Sequence, residues 1–229
     1  MRTENFGNNI LLYQCDNKKY YFDNDIDVLF LDPPFELYKE IYIPNFQTCI
    51  AFTNWQNRGY LTNKLGEPRI EMIWHFADGR WVSPNMPRIT HESILIYGST
   101  GSANVGIKNP LHGKKIKKGF GSIGRDKLGA RTYEPKNRKQ LNSVLFFPRN
   151  VNSYLGCWSK PVELIYTLFE FAGDRNIVDP FMGSGSSAIA SIKLNRKFVG
   201  IEKDLATFDI ACKRIDEFLS QGDLFREII

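Results

Sequence analysis

Asn176-Ile177-Val178-Asp179-Pro180-Phe181-Met182-Gly183-Ser184-Gly185-Ser186-Ser187 is the stretch that decides the fold: an apolar strand runs into a glycine turn and on into a helix, Ala188–Ile192. The glycines let the backbone come close to a ligand, and the serines are candidates to cap the helix. Upstream, Pro161–Phe171 places Val162, Leu164, Ile165, Leu168 and Phe169 at helical spacing behind an opening proline. Downstream come a second short strand, Phe198-Val199-Gly200-Ile201, and a helix over Leu205–Leu219 with Phe208, Ile210, Ala211, Ile215, Phe218 and Leu219 roughly along one face. This alternation of helix and strand predicts an α/β fold, a doubly wound and mostly parallel sheet. The turn does not complete the G-x-G-x-x-G dinucleotide pattern. Its second strand nevertheless ends in Glu202, roughly 20 residues past the glycines, where an acid can accept from ribose hydroxyls. Taken alone, Glu202 reads first as a solvated charge opening the next helix, and its spacing from the glycines reverses that.

The other half of the pattern lies near the N-terminus. Ile26-Asp27-Val28-Leu29-Phe30-Leu31 has the length and composition of a buried parallel strand, and it ends in Asp32-Pro33-Pro34-Phe35. The two prolines fix the backbone and have no N–H to give, so the acid is held on a stiff turn at the carboxyl end of a strand. Open α/β sheets bind their ligands there. Carboxylate, bare backbone carbonyl and flat ring together suit a planar amine. Further strands are predicted over Asn9–Tyr13, Thr48–Thr53, Glu71–Phe76 and Ser93–Tyr97.

With 229 residues, 42% of them hydrophobic, the chain has enough apolar side chain for one globular domain with a real core. It lacks an apolar run long enough for a membrane span. Cys15, Cys49, Cys157 and Cys212 are scattered, as are His75, His91 and His112. A cytoplasmic protein without disulfide or metal is therefore expected. The charge is uneven. Between Gly98 and Asn150, twelve Lys and Arg face only Asp126 and Glu134, a net +10; with +5 for the whole chain, the remainder carries −5. The same segment is glycine-rich and without periodicity, and it reads as loops. Such a block of one sign seeks a polyanion, and nucleic-acid phosphate is the obvious one.

These motifs resemble the amino-group DNA methyltransferases, which use S-adenosylmethionine. The carriers of the resemblance are Asp32-Pro33-Pro34-Phe35, the Asp179–Ser187 turn with Phe198–Asp204 after it, and Lys160–Ile165 as the lead-in helix. With the catalytic motif first and the cofactor motif last, the order is that of the β class. The resemblance implies a seven-stranded methyltransferase sheet with one antiparallel strand. It also implies three segments: residues 1–97 as the catalytic half, 98–150 as a basic target-recognition insertion and 151–229 as the cofactor-binding half. Asp32, Pro33, Pro34 and Phe35 would be catalytic, and Asp16, Lys160, Asp179, Phe181, Gly183, Ser184, Gly185 and Glu202 would surround the cofactor. Asp16 is explained almost as well by a strand-end turn. Gly156-Cys157-Trp158-Ser159 departs from the family's lead-in, whose hydroxyl holds the cofactor carboxylate, and Ser159 is the candidate substitute. DNA contacts are expected from Lys114, Lys115, Lys117, Lys118, Arg125, Arg131 and Arg138.

The implied reaction is methylation of the exocyclic amine of a flipped-out adenine in double-stranded DNA. Asp rather than Ser at the head of the first motif favours adenine over cytosine. Cytosine-N4 methylation, an RNA adenine substrate and a non-catalytic DNA-binding protein of the same fold stay open. Members of the class often form homodimers. The sequence holds no nuclease motif, so a restriction endonuclease partner would be a separate chain.

Overall fold

The structure, a computed structural model, describes residues 1–7, 9–22, 26–80, 83–105, 139–149 and 159–226. From the N-terminus, β1 (Arg2–Asn5) and β2 (Ile10–Gln14) lead to β3 (Ile26–Leu31), a 3-10 turn (Phe35–Glu40), β4 (Phe46–Thr53) and α1 (Trp55–Leu65). Next come β5 (Ile70–Arg80), β6 (Ile89–Gly98) and three short strands, β7 (Asn104–Val105), β8 (Lys139–Gln140) and β9 (Val144–Phe146). The chain finishes with α2 (Val162–Ala172), β10 (Ile177–Asp179), α3 (Ser186–Lys193), β11 (Phe198–Glu202) and α4 (Leu205–Arg226).

The main sheet runs in the order β1-β2-β11-β10-β3-β4-β6-β5-β9. From β2 to β4 every neighbour is parallel, and β6 runs antiparallel between β4 and β5. The seven strands from β2 to β5 therefore match the expected sheet with one reversed strand. Among the described residues the full sheet has nine strands, which corrects the expected count. β1 pairs antiparallel on one edge and β9 parallel on the other. β1 is polar because an edge strand needs only backbone pairing. β9, with β7 and β8, also puts strands inside the 98–150 segment, which the sequence presents as loops.

Period-two alternation fixes which face each side chain covers. Leu12, Val28, Phe30, Ile50, Phe52, Trp74, Ile94 and Ile96 join one buried cluster with Leu164, Leu168 and Phe169 of α2, Ala188 of α3 and Phe208 and Ile215 of α4. Their neighbours Leu29, Leu31, Cys49, Ala51, Leu95 and Tyr97 face the other way, onto Tyr38 and Ile41 and onto Leu61 of α1. The predicted helices over Pro161–Phe171 and Leu205–Leu219 are present as α2 and α4. Among the described residues, no helix is long and apolar enough to cross a membrane.

Candidate functional site

The central pairing is between β3 and β10, with Ile177 opposite Val28. From β3 the chain moves on to β4 in one direction; from β10 it moves to β11 in the other. The connections diverge here, so a crevice opens at the carboxyl ends of these two strands. Asp32 follows β3 and the glycine turn follows β10, which sets both motifs on the two lips of that crevice.

The Asp32 turn is braced from its far side. Pro33 is buried and Pro34 exposed. Pro34 caps the 3-10 turn, and its carbonyl accepts from Leu37 N at 2.9 Å. The Phe35 carbonyl accepts from Asn57 Nδ2 at 2.7 Å, and Asn57 is held in the first turn of α1 by the Asn54 side chain at 2.9 Å. The Phe35 ring stacks on Tyr38, with centroids 6.3 Å apart and planes at 29°. Tyr38 is buried and donates to the Phe52 carbonyl; burial first, and then Asp32, push its phenol well above the ordinary range. Among the described residues, the Pro33 carbonyl and Asp32 Oδ2 have no hydrogen-bond partner.

Asp32 Oδ1 accepts from Lys160 Nζ at 2.8 Å, and Glu92 Oε2 lies 3.3 Å from the same ammonium. The rings of Phe52 and Trp74 flank Lys160 at 4.9 and 5.9 Å from their centroids. Burial works against the charge on Lys160, but Asp32 and Glu92 outweigh it, and its pKa lies above the ordinary lysine value. Lys160 is thus joined to the acid of the first motif, and its sequence neighbour Ser159 touches the glycine turn instead, Oγ to Ser186 Oγ at 2.8 Å. Glu92 was not singled out in the sequence. Antiparallel pairing of Thr53 with Ser93 carries it to this end of the sheet, and that pairing has no local signal.

The serines of the turn do not cap α3. The N-cap position is Gly185, at φ +80°, and each hydroxyl serves another element. Ser184 accepts from Arg214 of α4 at 2.7 Å, Ser186 meets Ser159, and Ser187 donates to Asp179 Oδ2 at 2.6 Å. Asp179 Oδ1 accepts from Phe181 N at 2.9 Å. Burial pushes the Asp179 carboxyl up to about 7, against these two donors, with Asp32 and Glu202 acting on it through space in the same direction. Gly185 packs on Ala211, where an added Cβ would sit 3.2 Å from the Ala211 Cβ. Asp179, Ser184 and Gly185 therefore build the turn from inside.

Its outer face differs. Gly183 has φ +53°, and among the described residues a Cβ placed there would meet only the Phe181 carbonyl, at 4.0 Å. Phe181 is partly exposed. Glu202 Oε2 accepts from Gly183 N at 3.0 Å and Oε1 from Asp204 N at 2.8 Å; burial raises its carboxyl above the ordinary range despite these donors. Asp16 stands near the same strand ends, since Cys15 N donates to the Glu202 carbonyl. Asp16 accepts from Lys18 N at 3.1 Å and pairs with Lys203 at 3.1 Å, contacts that hold its carboxyl below the ordinary range.

Lys114, Lys115, Lys117, Lys118, Arg125, Arg131 and Arg138 lie outside the described residues, as do Gly156, Cys157 and Trp158. The flanks of the insertion are described. β7 and β8 pair antiparallel, Asn104 opposite Gln140, so the segment between them leaves from a paired base. That base sits at the amino end of the sheet: Gly98 lies opposite Thr48, and Gly101 N donates to the Phe171 carbonyl at the end of α2.

Comparison with known proteins agrees with this architecture. In structure the chain is similar to M1.HpyAVI in its complex with SAM, 20% identical, covering 90% of this chain and 99% of that one with a TM-score of 0.60. It is also similar to the PvuII DNA methyltransferase (cytosine-N4-specific), 11% identical, covering 87% and 85% at a TM-score of 0.58. In sequence it is similar to the type II methyltransferase M.HindIII of Haemophilus influenzae, 36% identical over 58 residues, 24% of this chain and 19% of that protein. M2.LlaDCHI of Lactococcus lactis is 39% identical over 46 residues, 17% of its length, so the matched stretch spans under a fifth of each curated relative. The DNA methylase family of N6 and N4 methyltransferases matches residues 53–213, which leaves Asp32–Phe35 ahead of the matched region. With most of its length inside that match, the chain belongs to the N6/N4 DNA methylase family.

Proposed function

We propose that this protein transfers a methyl group from S-adenosylmethionine to the N6 amine of adenine in double-stranded DNA, with the base rotated out of the stack. The observation that carries the reading is the meeting of Asp32, its turn and the Gly183–Glu202 turn at one switch point of the sheet.

An exocyclic amine is a poor nucleophile because its lone pair is delocalised into the ring. Two acceptors, one for each N–H, localise that pair and aim it. Asp32 Oδ2 and the Pro33 carbonyl are of the right chemistry, and both lack a partner among the described residues. The carboxylate also stabilises the positive charge that develops on the nitrogen and is suited to take the proton the nitrogen releases. Phe35 offers a ring for the extruded base, a contact worth about 1–3 kcal/mol. Positioning of this kind supplies up to about 7–11 kcal/mol in favourable cases.

The turn fits the cofactor. Gly183 has an open face, and each Glu202 oxygen holds one backbone N–H and keeps a lone pair for a ribose hydroxyl. Phe181 and Ser159 are the other candidates to line it, with Asp179, Ser184 and Gly185 fixing the turn from beneath. When bound, the cofactor supplies an activated methyl group. The basic segment 98–150 is assigned to DNA phosphate. Residues 106–138 have a contour of about 110 Å, ample to travel from the paired base to the Asp32 end of the sheet.

Transfer of labelled methyl to duplex DNA, lost in Asp32→Ala, is the expected result. Duplex binding by the unmutated protein with no transfer would overturn the enzyme in favour of a binding protein. Cytosine N4 asks the same two acceptors of the site, and the adenine reading rests on Asp at the head of the motif. Modification-sensitive sequencing of DNA from expressing cells reports the base; N4-methylcytosine would overturn the choice of adenine.

A further inference from the structure

We propose that Lys160 and Glu92 are positioning residues that brace Asp32 for the reaction, with Lys160 serving the acid and not the cofactor. The proposal rests on the methyl-transfer reading above.

Lys160 takes one oxygen of Asp32, Oδ1 at 2.8 Å, and so fixes the rotation of the carboxylate with Oδ2 left over. It could not do this on a mobile stem. The side chain is only 11% exposed, and the faces of Phe52 and Trp74 wall it in. Trp74 is itself fixed, donating from Nε1 to the Phe147 carbonyl at 2.8 Å.

Glu92 answers a charge problem. A lone ammonium 2.8 Å from Asp32 would cancel the negative charge that must face the developing cation on the amine. With Glu92 Oε2 3.3 Å away, one ammonium is shared by two carboxylates, so its charge is not spent on Asp32 alone. Asp32 is held without being neutralised. Adjacent residues also couple the two halves of the site, because Ser159 grips the first residue of α3 while Lys160 grips Asp32. Ser159-Lys160 acts as a clasp across the crevice.

The test uses full-length protein, duplex DNA methylation at saturating SAM, and SAM affinity by calorimetry. Lys160→Met lowers kcat by about 10²–10³-fold, as removal of one preorganised electrostatic group does, with the SAM Kd unchanged. Lys160→Arg restores part of the rate, because a guanidinium can also reach two carboxylates. Glu92→Gln lowers kcat while leaving the SAM Kd alone. A Lys160→Met protein with unchanged kcat and a SAM Kd raised about tenfold or more makes Lys160 a cofactor ligand and overturns the proposal. A raised kcat would make it a plug and overturns it equally. Independently of activity, a double-mutant cycle of Asp32→Asn with Lys160→Met, read by urea unfolding, carries a coupling outside error. Zero coupling overturns the brace; an uncoupled wild type that also methylates nothing would sink both readings, whereas an inactive wild type with coupling sinks only methyl transfer.

Discussion

Replacing Asp179 with Asn should flatten the pH dependence of folding stability. The Asp179 carboxyl is 1% exposed, and burial raises its pKa from 3.8 to about 7. The folded pKa stands above the unfolded one, so between these values the native protein keeps a proton that the unfolded chain has released. Stability due to this group is therefore fully present below pH 3.8, declines as pH rises and levels off above about 7. About three decades of proton affinity correspond to roughly 4 kcal/mol, a large part of the roughly 5–15 kcal/mol that holds a domain folded. Asn keeps the shape and cannot ionise. The difference in unfolding free energy between wild type and Asp179→Asn, measured in urea by circular dichroism across the mildly acid to mildly alkaline range, isolates the group, since other titrations cancel. The wild type should lose ground to the variant steadily up to about pH 7 and no further. A difference that stays constant, or a wild type that gains with pH, would refute the argument that the turn is built over a buried neutral acid.

Three further outcomes are expected. Gly185→Ala forces a side chain into φ +80° and against Ala211, costing about 1–2 kcal/mol for the backbone and about 1–3 for overpacking, read as a lower urea midpoint; a change below about 0.5 kcal/mol would mean that the turn relaxes freely. Replacing Lys114, Lys115, Lys117 and Lys118 together by Ala should weaken duplex binding and reduce the slope of log K against log salt by about 3.6; an unaltered slope removes the segment from the interface. Phe35→Ala should raise the KM for duplex by about 5- to 150-fold, the equivalent of one lost stack, while Phe35→Leu recovers little; an unchanged KM ends the stacking role.

Both motifs were legible because each is local: an apolar strand with a proline or glycine turn directly after it. The remaining features are set by partners far along the chain. α1 carries Gly59 and several polar residues and buries only Asn57 and Leu61, so it has almost no apolar stripe, yet its Asn57 anchors the Asp32–Phe35 turn. Polar β1 gains its place through backbone pairing and through Arg2, which bonds Asp209 of α4 at 2.6 Å. Val144–Phe146 was hidden by the charge around it. The serines looked like caps because their sequence position suits capping; Arg214, Ser159 and Asp179 compete for the same hydroxyls and win. The neighbours of Lys160 in sequence group it with the cofactor, and its side chain pairs with Asp32, 128 residues away.

The pairing of β3 with β10 also bears on how the protein is made. One flank of β3 is completed by residues that leave the ribosome about 150 positions later. At about 5–20 residues per second, the Val28–Leu29 edge waits roughly 8–30 s for its partner. An apolar edge left open so long is a place for wrong pairing, with a second nascent chain or with itself. Slow translation should therefore lower the yield of folded protein, and the Asp32 turn should meet the Gly183–Glu202 turn only after β11 has been synthesised.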